Sequence, residues 1–182
     1  ENVVADYESS LGSPVGLRPL GVAAHSRDEP NRRRLSDGNR AAGSLAGRRV
    51  LLAEDSPNTH RLVDYLLRKL GAEVEVCTDG QQAFERLLPG KDSQAERIDV
   101  ALMDMQMPVL DGYAATMRLR EAGVTTPIIA LTAHSLPRDR QACMDAGCND
   151  YLAKPFGPDA MLEKLLEWSK PAHAATTSAA IR

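Results

Sequence analysis

Val100-Ala101-Leu102-Met103-Asp104-Met105-Gln106-Met107-Pro108-Val109-Leu110-Asp111-Gly112 is an apolar run that ends on a carboxylate and then turns. A strand covered on both faces reads as a continuous hydrophobic run, so Val100 to Asp104 predicts a central strand of a parallel sheet. Ligands of open parallel sheets sit beyond the carboxyl ends of the strands, which is where Asp104 falls. Met107-Pro108 and Asp111-Gly112 stop the strand and shape a loop that would curl over the carboxylate before the next helix. Taken alone, such an Asp would read as a surface residue that caps a strand. The neighbouring segments decide otherwise.

Upstream, Val50-Leu51-Leu52-Ala53 is an apolar strand that ends on Glu54 and Asp55. Ser56-Pro57 then opens a helix, Ser as N-cap and Pro in the first turn. Leu62, Val63, Leu66, Leu67 and Leu70 recur at helical spacing, and Gly71 ends the run. Ala72, Val74 and Val76 alternate with Glu73, Glu75 and Cys77, a strand with one more exposed face near a sheet edge. A short helix to about Leu88 and a polar loop from Pro89 to Arg97 lead into the Val100 strand. That loop holds Gly90-Lys91 without the spaced glycines of a phosphate-binding loop.

Downstream, a helix from about Asp111 to Ala122 ends at Gly123. Pro127 to Leu131 is a further apolar strand, ending at Thr132, and Pro137 opens a helix that closes near Gly147. Tyr151-Leu152-Ala153 is a short strand ending at Lys154-Pro155. The last helix starts at Pro158 and carries Met161, Leu162, Leu165, Leu166 and Trp168 at helical spacing. Strands alternating with helices in this way predict an α/β fold: a five-stranded doubly wound parallel sheet with five helices and right-handed crossovers.

Composition bounds the rest. The 182 residues are 43% hydrophobic and 26% charged, which fits one folded domain with flanks. Residues 1–48 are rich in Gly, Pro, Ser, Asn and Arg and read as a flexible, disordered linker; 49–170 as the folded domain; 171–182 as a disordered tail. The Arg32-Arg33-Arg34 run is offset by Asp28, Glu29 and Asp37. Residues 1–48 hold seven basic residues against six acidic ones, and 49–170 fourteen against nineteen, so the domain is acidic and nucleic-acid binding by it is not expected. No stretch has the roughly 18 apolar residues of a membrane span and none reads as a signal peptide, which predicts a cytoplasmic protein, or one tethered to a membrane sensor in a longer chain. The chain starts with Glu1 rather than Met, which predicts a fragment or a processed product. Cys77, Cys143 and Cys148 lack zinc-site or disulfide spacing and read as small buried hydrophobes. Met103, Met105 and Met107 read as packing.

The strand ends bring Glu54, Asp55, Asp104, Thr132 and Lys154 to one pocket. Close carboxylates repel by roughly 4 kcal/mol per pair at an effective dielectric near 20, so three of them call for protons or a cation. An all-oxygen set favours a hard cation, and Mg²⁺ suits one or two carboxylates beside a phosphoryl group. Lys154 supplies a fixed positive charge, Thr132 a neutral donor, and Asp104 an in-line nucleophile for phosphoryl transfer.

With Leu52-Ala53-Glu54-Asp55, Met103 to Pro108 with Asp111-Gly112, Ala130-Leu131-Thr132-Ala133 and Tyr151-Leu152-Ala153-Lys154-Pro155 in this order, the chain resembles the receiver domains of two-component response regulators. The wording of the motifs is most similar to receivers of hybrid sensor histidine kinases. The resemblance covers about Arg49 to Lys170 and implies a flavodoxin-like receiver fold. It implies that Asp104 accepts phosphate from a phosphohistidine on a histidine kinase or histidine phosphotransfer protein. It also implies that Asp55, Asp104 and the Gln106 backbone carbonyl ligate Mg²⁺ while Glu54 acts through water. Thr132 and Tyr151 would move together as a switch, and the Lys154-Pro155 peptide would be cis. Three alternatives share parts of this pattern. A flavin-binding protein needs a phosphate-binding loop where Glu54 and Asp55 stand, and a phosphoaspartate hydrolase needs a second Asp where Gln106 stands. A phosphorylation-insensitive docking receiver would have lost the acceptor, the Thr or the Lys. A stand-alone single-domain regulator competes with the hybrid kinase as the setting. His60 is expected to face solvent on the first helix, and His134 to lie at the pocket rim and tune dephosphorylation.

Overall fold

The computed structural model describes residues 43–88, 97–133 and 136–169. The apolar runs pair as one parallel sheet of β1 (Arg49–Ala53), β2 (Glu73–Cys77), β3 (Val100–Asp104), β4 (Ile128–Thr132) and β5 (Asp150–Ala153), in the order β2-β1-β3-β4-β5. Between and after them run α1 (Pro57–Lys69), α2 (Gly80–Leu87), α3 (Gly112–Glu121), α4 (Pro137–Asp145) and α5 (Pro158–Trp168). Every residue of β3 and β4 is buried, which is why these strands read as unbroken apolar runs. Pro127 has no N–H to give the ladder, so β4 starts one residue later, yet the Pro127 carbonyl still accepts from Ala101 N at 2.8 Å.

Side chains alternate across the sheet. Leu51, Ala53, Ala101, Met103, Ile128 and Ala130 join one cluster with Ala83 and Leu87 of α2, Ala115 and Leu119 of α3 and Cys143 of α4. Leu52, Leu102, Ile129 and Leu131, their neighbours in sequence, are buried on the other side with Val63 and Leu67 of α1 and Met161 and Leu165 of α5. Each buried Leu, Ile, Val or Met among them contributes about 1.5–3 kcal/mol on burial, so these two layers dominate the stability of the fold. Met103, Met105 and Met107 lie in the first cluster, and all three cysteines are buried, as their packing role requires.

The Ser56 cap acts as expected, its Oγ accepting from Thr59 N. Two further caps appear in the structure: Asp79 Oδ1 accepts from Gln82 N at 2.8 Å and Asp111 Oδ1 from Ala114 N at 2.8 Å, each satisfying a first-turn donor.

Three local readings change. In β2 the alternation does not sort burial, because Val76 is 38% exposed while Cys77 enters the core. This strand pairs with β1 alone, and its middle is fastened by charge instead: Glu75 accepts from Arg49 Nη2 at 2.6 Å and from Arg86 Nε at 2.6 Å. His60 is half-buried rather than turned to solvent, and its Nδ1 is enclosed without a hydrogen-bond partner. Finally, the fold reaches ahead of Arg49. Gly43–Gly47 form a turn in which Leu45 is fully buried, and Leu45 N donates to Leu70 O at 2.9 Å. Arg48 Nη1 donates to Ser169 Oγ at 2.9 Å. Residues 1–42, the Pro89 to Glu96 loop, His134 and the tail from Lys170 lie outside the described residues, and with them most of the linker, the rim histidine and the tail of the sequence reading.

Candidate functional site

Four strand ends deliver the site. Glu54 follows β1, its N–H bonding to Cys77 O at 3.0 Å and so carrying the ladder one step past the strand. Its side chain is 1% exposed, and its Oε1 accepts from Ser56 N at 3.3 Å. Asp104 closes β3 at 6% exposure, with Oδ1 accepting from Gln106 N at 3.0 Å. Thr132 closes β4, 3% exposed, and its carbonyl accepts from Lys154 N at 2.7 Å, which fixes the backbone of Lys154 beside it. The Lys154–Pro155 peptide is cis.

Lys154 bridges the two buried acids. Its Nζ lies 2.6 Å from Glu54 Oε2 and 2.7 Å from Asp104 Oδ2. Burial disfavours the ammonium, but the hydrogen bonds to Asp104 and Glu54 outweigh it, and the Lys154 pKa rises above the usual lysine range. For Glu54 the balance falls the other way: burial raises its pKa more than Lys154 lowers it, and the nearby Asp104 charge adds to the rise. By formal count, two carboxylates face one ammonium here.

Asp55 is exposed at the mouth. One carboxylate oxygen each from Glu54, Asp55 and Asp104 lie within 4.8 Å of one another, a cluster that could hold a metal ion. An all-oxygen set with incomplete charge compensation fits a hard divalent cation.

The loop after Asp104 depends on missing side chains. A Cβ on Gly112 would stand 2.1 Å from Asp104 O and 2.8 Å from Met105 Cα, so only glycine lets α3 start this close to the end of β3. A Cβ on Gly80 would meet Leu110 O at 2.1 Å, where Gly80 N now donates at 3.1 Å and ties the start of α2 to the same loop. Sequence reasoning missed Gly80 as part of this region, and also the Ser56 amide on Glu54. Asp79-Gly80 signals a helix start, but nothing in the sequence names its partner.

The structure thus brings together Glu54, Asp55, Asp104, Thr132 and Lys154. Gln106 is exposed, one turn of loop beyond, with its N–H on Asp104. Tyr151 lies two residues before Ala153, half-buried against the core, with the Arg140 guanidinium 5.3 Å from its ring centroid. Among the described residues no helix is long and apolar enough to cross a membrane.

The comparisons with known proteins agree with this geometry. Residues 50–166 match the profile of the response regulator receiver domain. Histidine kinase 1 of Arabidopsis thaliana is 36% identical over 168 residues, covering 75% of this chain and 14% of that protein. The chain therefore spans only a small part of this relative. Among solved structures, the receiver domain of sensor histidine kinase PA1611 from Pseudomonas aeruginosa PAO1 is 44% identical with a TM-score of 0.59, covering 68% of this chain and 98% of that one. That structure has a magnesium ion coordinated in its active-site cleft. The receiver domain of the Saccharomyces cerevisiae response regulator Ssk1, crystallised with the histidine phosphotransfer protein Ypd1, is 28% identical with a TM-score of 0.61, covering 68% of this chain and 90% of that one. With a profile match over more than half of its length, and with the sheet order and acidic pocket described above, this chain belongs to the response regulator receiver domain family.

Proposed function

We propose that this receiver takes a phosphoryl group from a phosphohistidine onto Asp104, and that the donor is a histidine kinase or a histidine phosphotransfer protein. The observation that carries the reading is the Lys154 ammonium held between Glu54 and Asp104 at the acidic strand ends. The P–N bond of the phosphohistidine breaks as a carboxylate oxygen of Asp104 bonds to phosphorus, and the imidazole leaves with its electron pair and takes a proton from solvent. Little covalent work falls to the protein, so positioning and charge dominate. Lys154 offsets charge on the arriving phosphoryl oxygens. The Thr132 hydroxyl donates to one of them, and the Gln106 amide orients Asp104. Mg²⁺ would be held by Asp55, Asp104 and the Gln106 carbonyl, with Glu54 acting through water, and when bound it neutralises charge shared between the acids and the phosphoryl group.

Drawing the Thr132 hydroxyl toward the phosphoryl group frees space into which Tyr151 moves, which changes the surface around α4, β5 and α5. The sensor kinase receiver and the phosphotransfer complex among the similar structures support a place in a phosphorelay, as one module of a hybrid sensor histidine kinase. The free, buried cysteines suit a reducing, cytoplasmic setting.

The test is incubation with acetyl phosphate, with and without Mg²⁺, followed by intact-mass measurement. The wild type gains the mass of one phosphoryl group only with Mg²⁺, and Asp104→Asn gains none. Equal labelling of Asp104→Asn would reject Asp104 as the acceptor. An unlabelled wild type would leave a docking receiver as the better reading. A reading frame with a histidine-bearing helix pair and an ATP-binding domain ahead of Glu1 supports the hybrid kinase; an initiator Met directly before Glu1 supports a stand-alone regulator.

A further inference from the structure

Helix α4 is the most lightly anchored of the described helices. Cys143 is its single buried side chain within the helix proper, and its N-cap, Leu136, offers no side-chain hydrogen bond to the first turn. One turn before Cys143, Arg140 places its guanidinium over the face of Tyr151, 5.3 Å from the ring centroid. Among the described residues Arg140 has no ion-pair partner, although the neighbouring Asp139 stands 3.8 Å from Arg138. The ring is therefore its main attachment.

The backbone beneath that ring is fixed. Tyr151 N donates to Asp150 Oδ1 at 2.8 Å, and Asp150 Oδ2 accepts from Lys164 Nζ at 2.6 Å and from Trp168 Nε1 at 3.1 Å. Any movement of Tyr151 is thus a movement of its side chain, and such a movement breaks the contact with Arg140.

We propose that Arg140 is a positioning residue for the switch: its stacking on Tyr151 holds the ring in the observed place and sets how readily the pocket adopts its phosphoryl-bound arrangement. This rests on the reading of Thr132 and Tyr151 given above. The Arg140 side chain is exposed while the ring beneath it is half-buried, so the contact is a modest one and Arg140 biases the switch without locking it. Phosphoryl binding must overcome that bias, and its apparent affinity falls by the share of molecules held in the resting arrangement.

The probe is beryllofluoride, a tetrahedral phosphoryl mimic, titrated with Mg²⁺ and followed by Trp168 fluorescence and calorimetry. Arg140→Gln should bind it about two- to five-fold more tightly than the wild type, the factor set by an exposed cation–π contact. The sign is diagnostic, because plain loss of a positive charge near an anion site predicts weaker binding. Arg140→Lys keeps a cation over the ring and should stay near the wild type. In a Tyr151→Leu background, Arg140→Gln should add nothing. Unchanged or weaker binding by Arg140→Gln, or tightening that persists in the Tyr151→Leu background, overturns the latch. A wild type that binds no beryllofluoride, or an Asp104→Asn variant that binds it equally well, overturns the acceptor reading and the latch together. Thermal melts check that each variant is folded.

Discussion

Leu45 gives a sharp test of where this domain begins. It lies in the turn ahead of β1, is fully buried, and its N–H is tied to Leu70 O at 2.9 Å. Leu45→Ala keeps that hydrogen bond and removes the buried isobutyl group. Lost transfer energy is about 2 kcal/mol. The residual cavity raises the total to about 3 kcal/mol, inside the usual Leu→Ala range of about 2–5 kcal/mol. With a urea m-value of about 2 kcal/mol per molar, the unfolding midpoint should fall by about 1.5 M. Urea melts followed by circular dichroism and by Trp168 fluorescence measure this, and the two probes should agree. Ala46→Ser, at an exposed position in the same turn, should leave the midpoint within about 0.3 M of the wild type. A protein shortened to start at Arg49 should lose at least as much as Leu45→Ala, since the Leu70 and Ser169 hydrogen bonds go too. If Leu45→Ala and the shortened protein both melt like the wild type, the turn is not part of the cooperative fold and the argument fails.

Three further outcomes are expected. Val109 has φ of 66° and is 84% exposed, within the turn closed by Leu110 N on Pro108 O at 2.8 Å. Left-handed backbone costs an L-residue about 1–2 kcal/mol, and glycine's extra freedom returns about 0.5–1 kcal/mol of that, so Val109→Gly should raise stability by up to about 1 kcal/mol in urea melts. For Asp150, burial raises the carboxyl pKa but the Lys164, Tyr151 and Trp168 hydrogen bonds outweigh it, leaving the pKa below the usual carboxylate range. A depressed carboxyl gives stability that is present above its unfolded pKa, near 3.9, and lost as pH falls through the folded value. Asp150→Asn should therefore cost about 1–2 kcal/mol at pH 7, and its stability should fall less than the wild type's below about pH 4, as read from melts across pH. Burial pushes Cys77 and Cys148 up to about 11, so an aromatic disulfide reagent at pH 7.5 should label neither in the folded protein and both once it is unfolded.

Much of this was legible in the sequence because burial leaves a pattern there. Val100 to Asp104 and Ile128 to Leu131 are enclosed on both faces, so their residues carry no polar alternation. Ser56 stands before Pro57 where the first helix's donors need an acceptor. Leu45 left no such trace, since one apolar residue among Gly43, Ser44 and Gly47 looks like linker until Leu70 is seen against it. Cys77 is buried as its type suggested, but Val76 departs from the alternation because an edge strand is shaped by its ion pairs as much as by its pleat. Within the site, the acids, Thr132 and Lys154 could be read from strand ends, but the bridging of Glu54 and Asp104 by one ammonium is a matter of distance. Arg120 was invisible for the same reason: it donates to the carbonyls of Gly147, Val124 and Thr126 and to Asn149 Oδ1, fastening together loops that lie far apart in sequence.

The contact of Arg48 with Ser169 has a consequence for engineering. Arg48 links the turn that opens the fold to β1, and Ser169 follows the last residue of α5, so their contact joins the start and the end of the folded part at the amino edge of the sheet. Asp104 lies at the carboxyl edge, a strand length of roughly 17 Å away. Nearby ends of this kind suit a domain to insertion. The receiver suits splicing into a surface loop of a carrier protein as a cassette, with both seams at one pole and the pole that holds Asp104 left clear.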